Sequence, residues 1–212
     1  MINLHYLTLL KRLKHRHEHL NGEAVETKFL HLLSLKMPDV GFDQLPYNPQ
    51  WPQWFAHERR CLVEQSNTLK LAEIQHIGST SIPSMCSKNI IDIAAKTPYE
   101  PDDIHVQSAL AQLGYTFYGR SPIHTQCSWY WKVESRKCYV LHLAHHALPC
   151  FSEAILFRDY LNSNKKQIAK YQKFKDHAFA SSSDMLSYSV RKIDIYCDIL
   201  NDAKHWLATT KP

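Results

Sequence analysis

The chain has 212 residues, of which 44% are apolar and 21% are charged, so it can bury a full core and is not intrinsically disordered. No apolar run has transmembrane length, and the N-terminus lacks the apolar stretch and cleavage site of a secretory signal. We therefore expect a cytoplasmic protein without a membrane partner, with one domain of ordinary to large size and a small appendage.

The cysteines and the net charge narrow the function classes further. No two of the six cysteines have C-x-x-C spacing, which excludes a zinc ribbon, and a cytoplasmic location predicts reduced thiols. The formal net charge of +5 is small for this length, so it favours phosphate-bearing partners only mildly.

Residues 1–37 differ in pattern from the rest of the chain. Leucines recur at helical spacing on both sides of Asn21-Gly22, which predicts two helices joined by a turn. The basic segment 11–17 is typical of a solvated helix face, and a phosphate or nucleic-acid patch is the alternative. Two roles are open for residues 1–45: an arm that contacts a protein partner, or a segment that packs on the core.

A proline-rich loop over residues 38–53 leads into the main domain, whose elements follow from apolar periodicity and from residues that start or end helices. Five strands are predicted, at 73–77, 90–94, 115–118, 127–133 and 139–144. Five helices are predicted, at 51–65, 101–113, 152–161, 165–177 and 184–207. The segment Ser135–Lys137 would turn the last two strands into a hairpin.

The segment HIGSTS at residues 76–81 is the most informative local motif. A strand ends at Gly78, where glycine permits a tight turn. Ser79, Thr80 and Ser81 then offer hydroxyls and backbone N–H groups at a predicted helix start. Such a position favours a bound phosphate, because the first amides of a helix lack internal partners.

Asp92 lies in the next predicted strand, which is otherwise apolar. A carboxylate is costly to bury there without a partner. A Mg²⁺ ion joining Asp92 to a phosphate on the Gly78 turn would be such a partner. The alternative is that the turn only caps a helix and that Asp92 pairs with Lys88 or an arginine.

These motifs and several others, in one order, resemble the GrpB family. They are YNPQWP at 47–52, HIGSTSIP at 76–83, KNIIDI at 88–93, FRDYL at 157–161, YxxFK at 171–175 and YxxxK at 188–192. The resemblance covers roughly residues 47–200, about three quarters of the chain. Residues 1–45 lie outside it.

The resemblance implies an α/β (α+β), nucleotidyltransferase-like fold, with a small mixed β-sheet flanked by helices. This domain would span residues 46–201, after a helical extension at 1–45 and before a C-terminal tail at 202–212. In such a fold a Gly-Ser turn holds a triphosphate, and carboxylates on adjacent strands hold one or two Mg²⁺ ions. The implied activity is nucleotidyl transfer from a nucleoside triphosphate (NTP) to an acceptor that the sequence does not identify.

This chain lacks carboxylates that the resemblance leads us to expect. Ala94 stands where the second acid of the Asp92 strand would be, although GrpB members often lack that acid. Residues 140–145 keep one family histidine, His142, but lose the accompanying glutamate. Two-metal catalysis is therefore expected to be weak or absent.

The resemblance still implies a set of site residues. Asp92 would hold the metal and act in catalysis, and His142 would orient a phosphate or take a proton. The nucleotide would be bound by Gly78, Ser79, Thr80, Ser81, Lys88, Lys132 and Arg158. The structural alternatives are that His142 is a hydrogen-bonded core histidine and that Arg158 pairs with Asp92 to hold a helix to the sheet.

Three hypotheses about function follow. The first is a Mg²⁺-dependent nucleotidyltransferase of the GrpB family. The second is a catalytically inactive module that binds a nucleotide or another phosphate-bearing ligand. The third is RNA binding through the basic C-terminal helices, which would depend steeply on salt.

Overall fold

The computed structural model describes residues 41–64, 66–120, 127–146 and 150–210, which form an α+β fold. The described strands are β1 (Ala72–Ile77), β2 (Ile90–Thr97), β3 (Thr116–Arg120), β4 (Cys127–Glu134) and β5 (Lys137–His145). The described helices are α1 (Trp51–Glu64), α2 (Ser66–Leu69), α3 (Ile104–Gln112), α4 (Cys150–Ser163), α5 (Lys165–Ala180) and α6 (Met185–Thr210). The helices predicted within residues 1–37 lie outside the described residues.

The five strands form one mixed sheet in the order β1-β2-β5-β4-β3. β2 and β5 run parallel at its centre, and the other neighbouring strands are antiparallel. The predicted β4–β5 hairpin is confirmed. Its turn residues Ser135 and Arg136 both have positive φ, at 49° and 65°, as a turn that matches the strand twist requires. The expected mixed sheet with flanking helices is therefore confirmed.

The two faces of the sheet differ because side chains alternate along each strand. One face packs against α1 and α3 in the main apolar core, which includes Trp51, Leu62, Ile91, Ile93, Val106, Leu110, Tyr130, Tyr139 and Leu141. The opposite face carries Asp92, Val140 and Trp131 in one row across three strands, and Ala94, His142 and Trp129 in the next.

The C-terminal helices lie on the side of the sheet that carries Asp92. A second apolar cluster joins α4, α5 and α6 to Ile82 and Met85, which follow the Gly78 turn. The start of α4 packs on Ala94 and Ala144 in a third cluster. The rest of this face therefore adjoins the C-terminal helices, and the candidate site lies there. Among the described helices, none is long and apolar enough to cross a membrane.

A disulfide joins Cys127, the first residue of β4, to Cys150, the first residue of α4. The expectation that all six thiols are reduced is therefore wrong for this pair, while the thiols of Cys61, Cys86 and Cys138 are free. Both cysteines are buried in the apolar cluster beneath the start of α4. The bond holds that helix covalently to the sheet.

Candidate functional site

The site begins at Gly78, where β1 ends. Its backbone has φ 70° and ψ −172°, a conformation that side-chain-bearing residues rarely adopt. A Cβ atom there would lie 2.9 Å from Asp92 Cγ and closer still to Oδ2. The turn therefore passes directly against the Asp92 carboxylate, and only glycine leaves room for it.

The predicted helix start after Gly78 is wrong. Ser79–Ser81 form a single 3₁₀ turn of three residues, which is too short to carry the dipole and row of free amides of a helix N-terminus. The backbone N–H of Ser81 already donates to Gly78 O, at 3.2 Å. Any phosphate bound beside this turn would need other positive groups.

Two of the three hydroxyls in the turn hold it in place. The Thr80 hydroxyl donates to the Ile90 carbonyl and also bonds His76 Nε2, each at 3.0 Å. Ser81 Oγ donates to Gly78 O at 2.6 Å. These contacts fix the turn against β2, so Thr80 and Ser81 position the site.

His76 supports the same turn from β1 and is neutral. Burial lowers its pKa to about 4, which outweighs the opposing effect of the Asp92 charge. Its ring stacks on Phe55 with centroids 4.8 Å apart. Since the Thr80 hydroxyl donates to Ile90, the neutral His76 ring donates from Nε2.

Asp92 pairs with His142 across β2 and β5. His142 Nε2 lies 3.1 Å from Asp92 Oδ1, and both side chains are about a quarter exposed, at 27% and 29%. The partner of Asp92 is therefore His142, and not Lys88 or an arginine as the alternative had predicted. The carboxylate thus fixes the histidine ring while its other oxygen, Oδ2, faces Gly78.

Three lysines from separate parts of the chain lie within electrostatic reach of Asp92. Lys88 precedes β2, Lys175 lies on α5 and Lys192 lies on α6. Lys88 Nζ and Lys192 Nζ lie 4.3 Å and 5.0 Å from the centroid of the same ring, that of Tyr188. The Lys175 side chain is buried and donates to the Cys86 carbonyl. We call Lys88, Lys175 and Lys192 the lysine cluster.

The environment of the lysine cluster resists its positive charge. Burial, followed by repulsion from Lys192, lowers the pKa of Lys88 well below its usual value and the pKa of Lys175 to about 7. Burial also opposes the charge of Lys192, but Tyr171, Tyr188 and Asp92 favour it, and its pKa is raised. The Asp92 charge raises the pKa of all three lysines, which places its carboxylate within electrostatic reach of each.

This arrangement suits an anion. Like charges that are close together and shielded from water repel strongly, and an anionic ligand relieves that repulsion. The sequence predicted Lys88 at this site but gave no binding role to Lys175 or Lys192. The YxxFK and YxxxK motifs end on these two lysines, so they were the pattern that could have identified them.

Lys132 is not part of this site, which corrects the sequence-based expectation. Its Nζ lies 2.9 Å and 3.1 Å from the two carboxylate oxygens of Glu58, which is fully buried on α1. Lys132 is paired with Tyr139 in the sheet, whereas Asp92 shares its row with Val140. Lys132 therefore projects from the opposite face and neutralises Glu58.

Arg158 ties α4 to β1. Its guanidinium donates to the His76 carbonyl at 2.8 Å, to Gln75 Oε1 at 3.1 Å and to Asp159 Oδ1 at 2.7 Å. The alternative in which Arg158 pairs with Asp92 is thus replaced by contacts to β1. Its predicted role in binding phosphate stays a prediction, and its contacts hold the strand that leads to Gly78.

The carboxylates at the site are too few for two metal ions. Among residues 41–64, 66–120, 127–146 and 150–210, no three histidine, cysteine or acidic side chains gather as metal ligands do. Among the described residues, Asp92 is the carboxylate against which the Gly78 turn passes. A single Mg²⁺ fits this donor set, since Mg²⁺ is commonly held by one or two carboxylates together with substrate phosphates.

Comparison with known proteins gives relatives over most of the chain. The UPF0157 protein PA4798 of Pseudomonas aeruginosa is 31% identical over 179 residues, which cover 82% of this chain and 71% of that protein. The glutamate-rich protein GrpB of Alkalihalophilus pseudofirmus is 28% identical over 161 residues, which cover 74% of this chain and 92% of that protein.

The fold has a relative of known structure. The crystal structure of the conserved protein GrpB from Enterococcus faecalis aligns with a TM-score of 0.67 and 22% sequence identity, covering 77% of this chain and 99% of that one. The family model described as GrpB protein matches residues 44–202, which include the Gly78 turn, Asp92, His142 and the lysine cluster. The chain therefore belongs to the GrpB family.

Proposed function

We propose that this protein binds a phosphate-rich ligand, namely an NTP, between the Gly78 turn and the lysine cluster. The observation that carries the proposal is that three lysines lie within electrostatic reach of one carboxylate, Asp92, and that two of them, Lys88 and Lys192, lie against the same Tyr188 ring. A triphosphate supplies the negative charge that this cluster lacks and provides several oxygens for the three ammonium groups. Exposed surface lysines would be hydrated and dispersed instead.

A single Mg²⁺ is compatible with this binding mode. Asp92 Oδ2 faces the turn, so Asp92 would hold the ion together with phosphate oxygens of the ligand. A bound Mg²⁺ would supply further positive charge against the triphosphate. The lysine cluster supplies much of the neutralisation that a second metal provides in two-metal enzymes.

A second candidate function, nucleotidyl transfer, is favoured by the Asp92–His142 pair. The 3.1 Å contact orients the imidazole ring, which is the arrangement of a general base held by a carboxylate. His142 would accept the proton of an acceptor hydroxyl as its oxygen attacks the α-phosphorus, and pyrophosphate would leave. Without such transfer, the protein would be a catalytically inactive nucleotide-binding module.

Thermal unfolding with a panel of NTPs and with inorganic tripolyphosphate, each with and without Mg²⁺, tests binding. A ligand at a hundred times its dissociation constant adds about 2.7 kcal/mol, and each kcal/mol raises the midpoint by roughly 2–4 °C. We expect a shift of several degrees for the wild type and a much smaller one for Lys192→Met. We expect Asp92→Ala to lose the Mg²⁺-dependent part of the shift with little change in the fold.

Lys170→Met is the matched control, since Lys170 is an exposed lysine on the same helix as Lys175. Ligands should raise the midpoint of thermal unfolding of Lys170→Met as much as they raise that of the wild type. The proposal fails if no triphosphate shifts the wild type, or if Lys192→Met and Asp92→Ala respond as the wild type does. Pyrophosphate release by the wild type but not by His142→Gln, with binding intact in both, would identify the transferase.

A further inference from the structure

The face of the sheet that carries Asp92 also carries aromatic side chains. Trp129 on β4 lies in the same row as His142 and Ala94, one row from Asp92. The rings of Trp129 and Tyr118 lie nearly parallel, with 12° between their planes and centroids 6.4 Å apart. The His142 ring meets Trp129 edge-on at 5.5 Å. We call Trp129, Tyr118 and His142 the aromatic surface.

Packing within the apolar core does not account for Trp129. Its side chain is partly exposed, and it lies on the sheet face opposite the main core, which is formed by Tyr130 and its neighbours. Tyr118 is buried beside it and backs its ring. A large flat ring held rigidly and partly open to solvent is the arrangement that stacks on planar ligands.

The groups beside Trp129 favour a polar ring over a purely apolar one. His142 uses Nε2 to bond Asp92, and its Nδ1 forms no hydrogen bond within the described part of the chain. A heteroaromatic ring that stacks on Trp129 would bring its polar edge toward this imidazole and the Asp92 carboxylate. A benzene-like ring would offer no polar atom to either group.

We propose that the aromatic surface binds the base of a nucleotide or nucleoside, with the ring stacked on Trp129 and its polar edge toward His142. The inference rests on the proposed function for its position, since the lysine cluster anchors the phosphates near Asp92. It adds a site for the ring, which the phosphate contacts alone do not provide. The base belongs either to the bound NTP or to the acceptor.

Isothermal titration of wild type and Trp129→Leu with ATP, inorganic tripolyphosphate and adenosine tests this site. Stacking on one aromatic ring is worth about 1–3 kcal/mol per base, so Trp129→Leu should bind the base-bearing ligand about 5- to 150-fold more weakly. Tripolyphosphate has no ring, and its affinity should not change. Trp129→Phe keeps a ring and should retain most of the affinity.

Trp54→Leu is the matched control. Trp54 is another partly exposed tryptophan with a nearby lysine, 4.9 Å from Lys137 Nζ, but it lies on α1 against the opposite face. It should bind all three ligands as the wild type does. If Trp129→Leu unfolds, the comparison of wild type with Trp129→Phe and Trp129→His at one temperature still separates stacking from a purely structural role.

The outcomes separate the two sources of the ring and the two proposals. If Trp129→Leu loses affinity for ATP alone, the stacked ring is the base of the NTP. Adenosine is also titrated into protein that is already saturated with tripolyphosphate. If Trp129→Leu loses affinity for adenosine there while its affinity for ATP is unchanged, the stacked ring belongs to the acceptor. Unchanged binding of both overturns the aromatic surface while tripolyphosphate binding upholds the lysine cluster. A wild type that binds no polyphosphate overturns the proposed function itself.

Discussion

At the scale of single residues, the site depends on how closely a glycine approaches a carboxylate. Gly78 combines a positive φ with a backbone position that leaves no room for a Cβ atom beside Asp92. The sequence predicted the turn from glycine and the hydroxyl residues after it. It did not predict the contact with Asp92, since that depends on the pairing of Ile77 with Asp92 across two strands.

Gly78→Ala should destabilise the protein and displace the Asp92 carboxylate. The backbone conformation costs about 1–3 kcal/mol, and overpacking against Asp92 adds about 1–3 kcal/mol. The control is Gly114→Ala, also at positive φ, where the added Cβ would meet only the Lys132 side chain at 3.7 Å. Urea unfolding and NTP titration of both variants check this. Equal stability losses and equal affinities would contradict the role given to Gly78.

Lys175 should make stability depend on pH between about 7 and 10.5. Burial lowers its pKa from 10.5 to about 7, so over this range the unfolded chain binds a proton at Lys175 that the folded protein does not. Its contribution to the free energy of unfolding therefore rises with pH by up to about 1.4 kcal/mol per unit.

Lys175→Met removes this dependence, so its stability relative to the wild type should be greatest at pH 7 and fall steadily as pH rises. Urea unfolding at pH 7, 8 and 9 measures the difference. Lys170→Met, at an exposed position of the same helix, should show no such trend. Parallel curves for Lys175→Met and wild type would mean that Lys175 titrates as an exposed lysine.

At the scale of elements, the sequence predicted what is local and missed what depends on register and helix packing. Apolar periodicity located the five strands and the main helices near their observed positions. It could not show that Lys132 and Asp92 project from opposite faces, because that follows from which residues pair across β2, β5 and β4. Nor could it bring Lys175 and Lys192 to Lys88, since α5 and α6 meet the turn only through tertiary packing.

The Lys132–Glu58 pair is predicted to be a structural tie between β4 and α1. Glu58 is fully buried, so Lys132→Met would leave its carboxylate without a countercharge and cost about 3–5 kcal/mol. The double variant Glu58→Leu with Lys132→Met should recover most of that loss, because it removes both charges. Chemical denaturation measures both effects.

NTP affinity distinguishes this structural role from the phosphate-binding role that the sequence suggested for Lys132. The folded double variant should bind triphosphate as the wild type does, since its changes lie on the face opposite the lysine cluster. If the double variant lost as much affinity as Lys192→Met, Lys132 would have a role in binding the phosphates.

At the scale of the whole molecule, two layers contribute to one charged site. The sheet contributes Asp92 and His142, and the C-terminal helices contribute Lys175 and Lys192, while the Cys127–Cys150 disulfide ties the start of α4 to the sheet. The formal net charge of +5 is spread over the entire chain, including many exposed lysines. Binding set by the site and binding set by overall charge therefore make different predictions.

Reversing exposed charge on α5 separates these two cases. Replacing Lys165, Lys166 and Lys170 with glutamate lowers the formal net charge from +5 to −1, since each change removes two charges. These side chains are exposed, whereas Lys175 on the same helix is buried.

At physiological salt the Debye length is about 8 Å, so distant exposed charges act only weakly on the site around Asp92. We expect the triple variant to bind NTP within about threefold of the wild type in titration at that salt. Lys192→Met should weaken binding by at least about tenfold, because it removes a charge from the proposed phosphate site. Should the triple variant lose affinity as severely as Lys192→Met, the phosphates would bind along the outer surface of α5, and the function of the lysine cluster would have to be sought elsewhere.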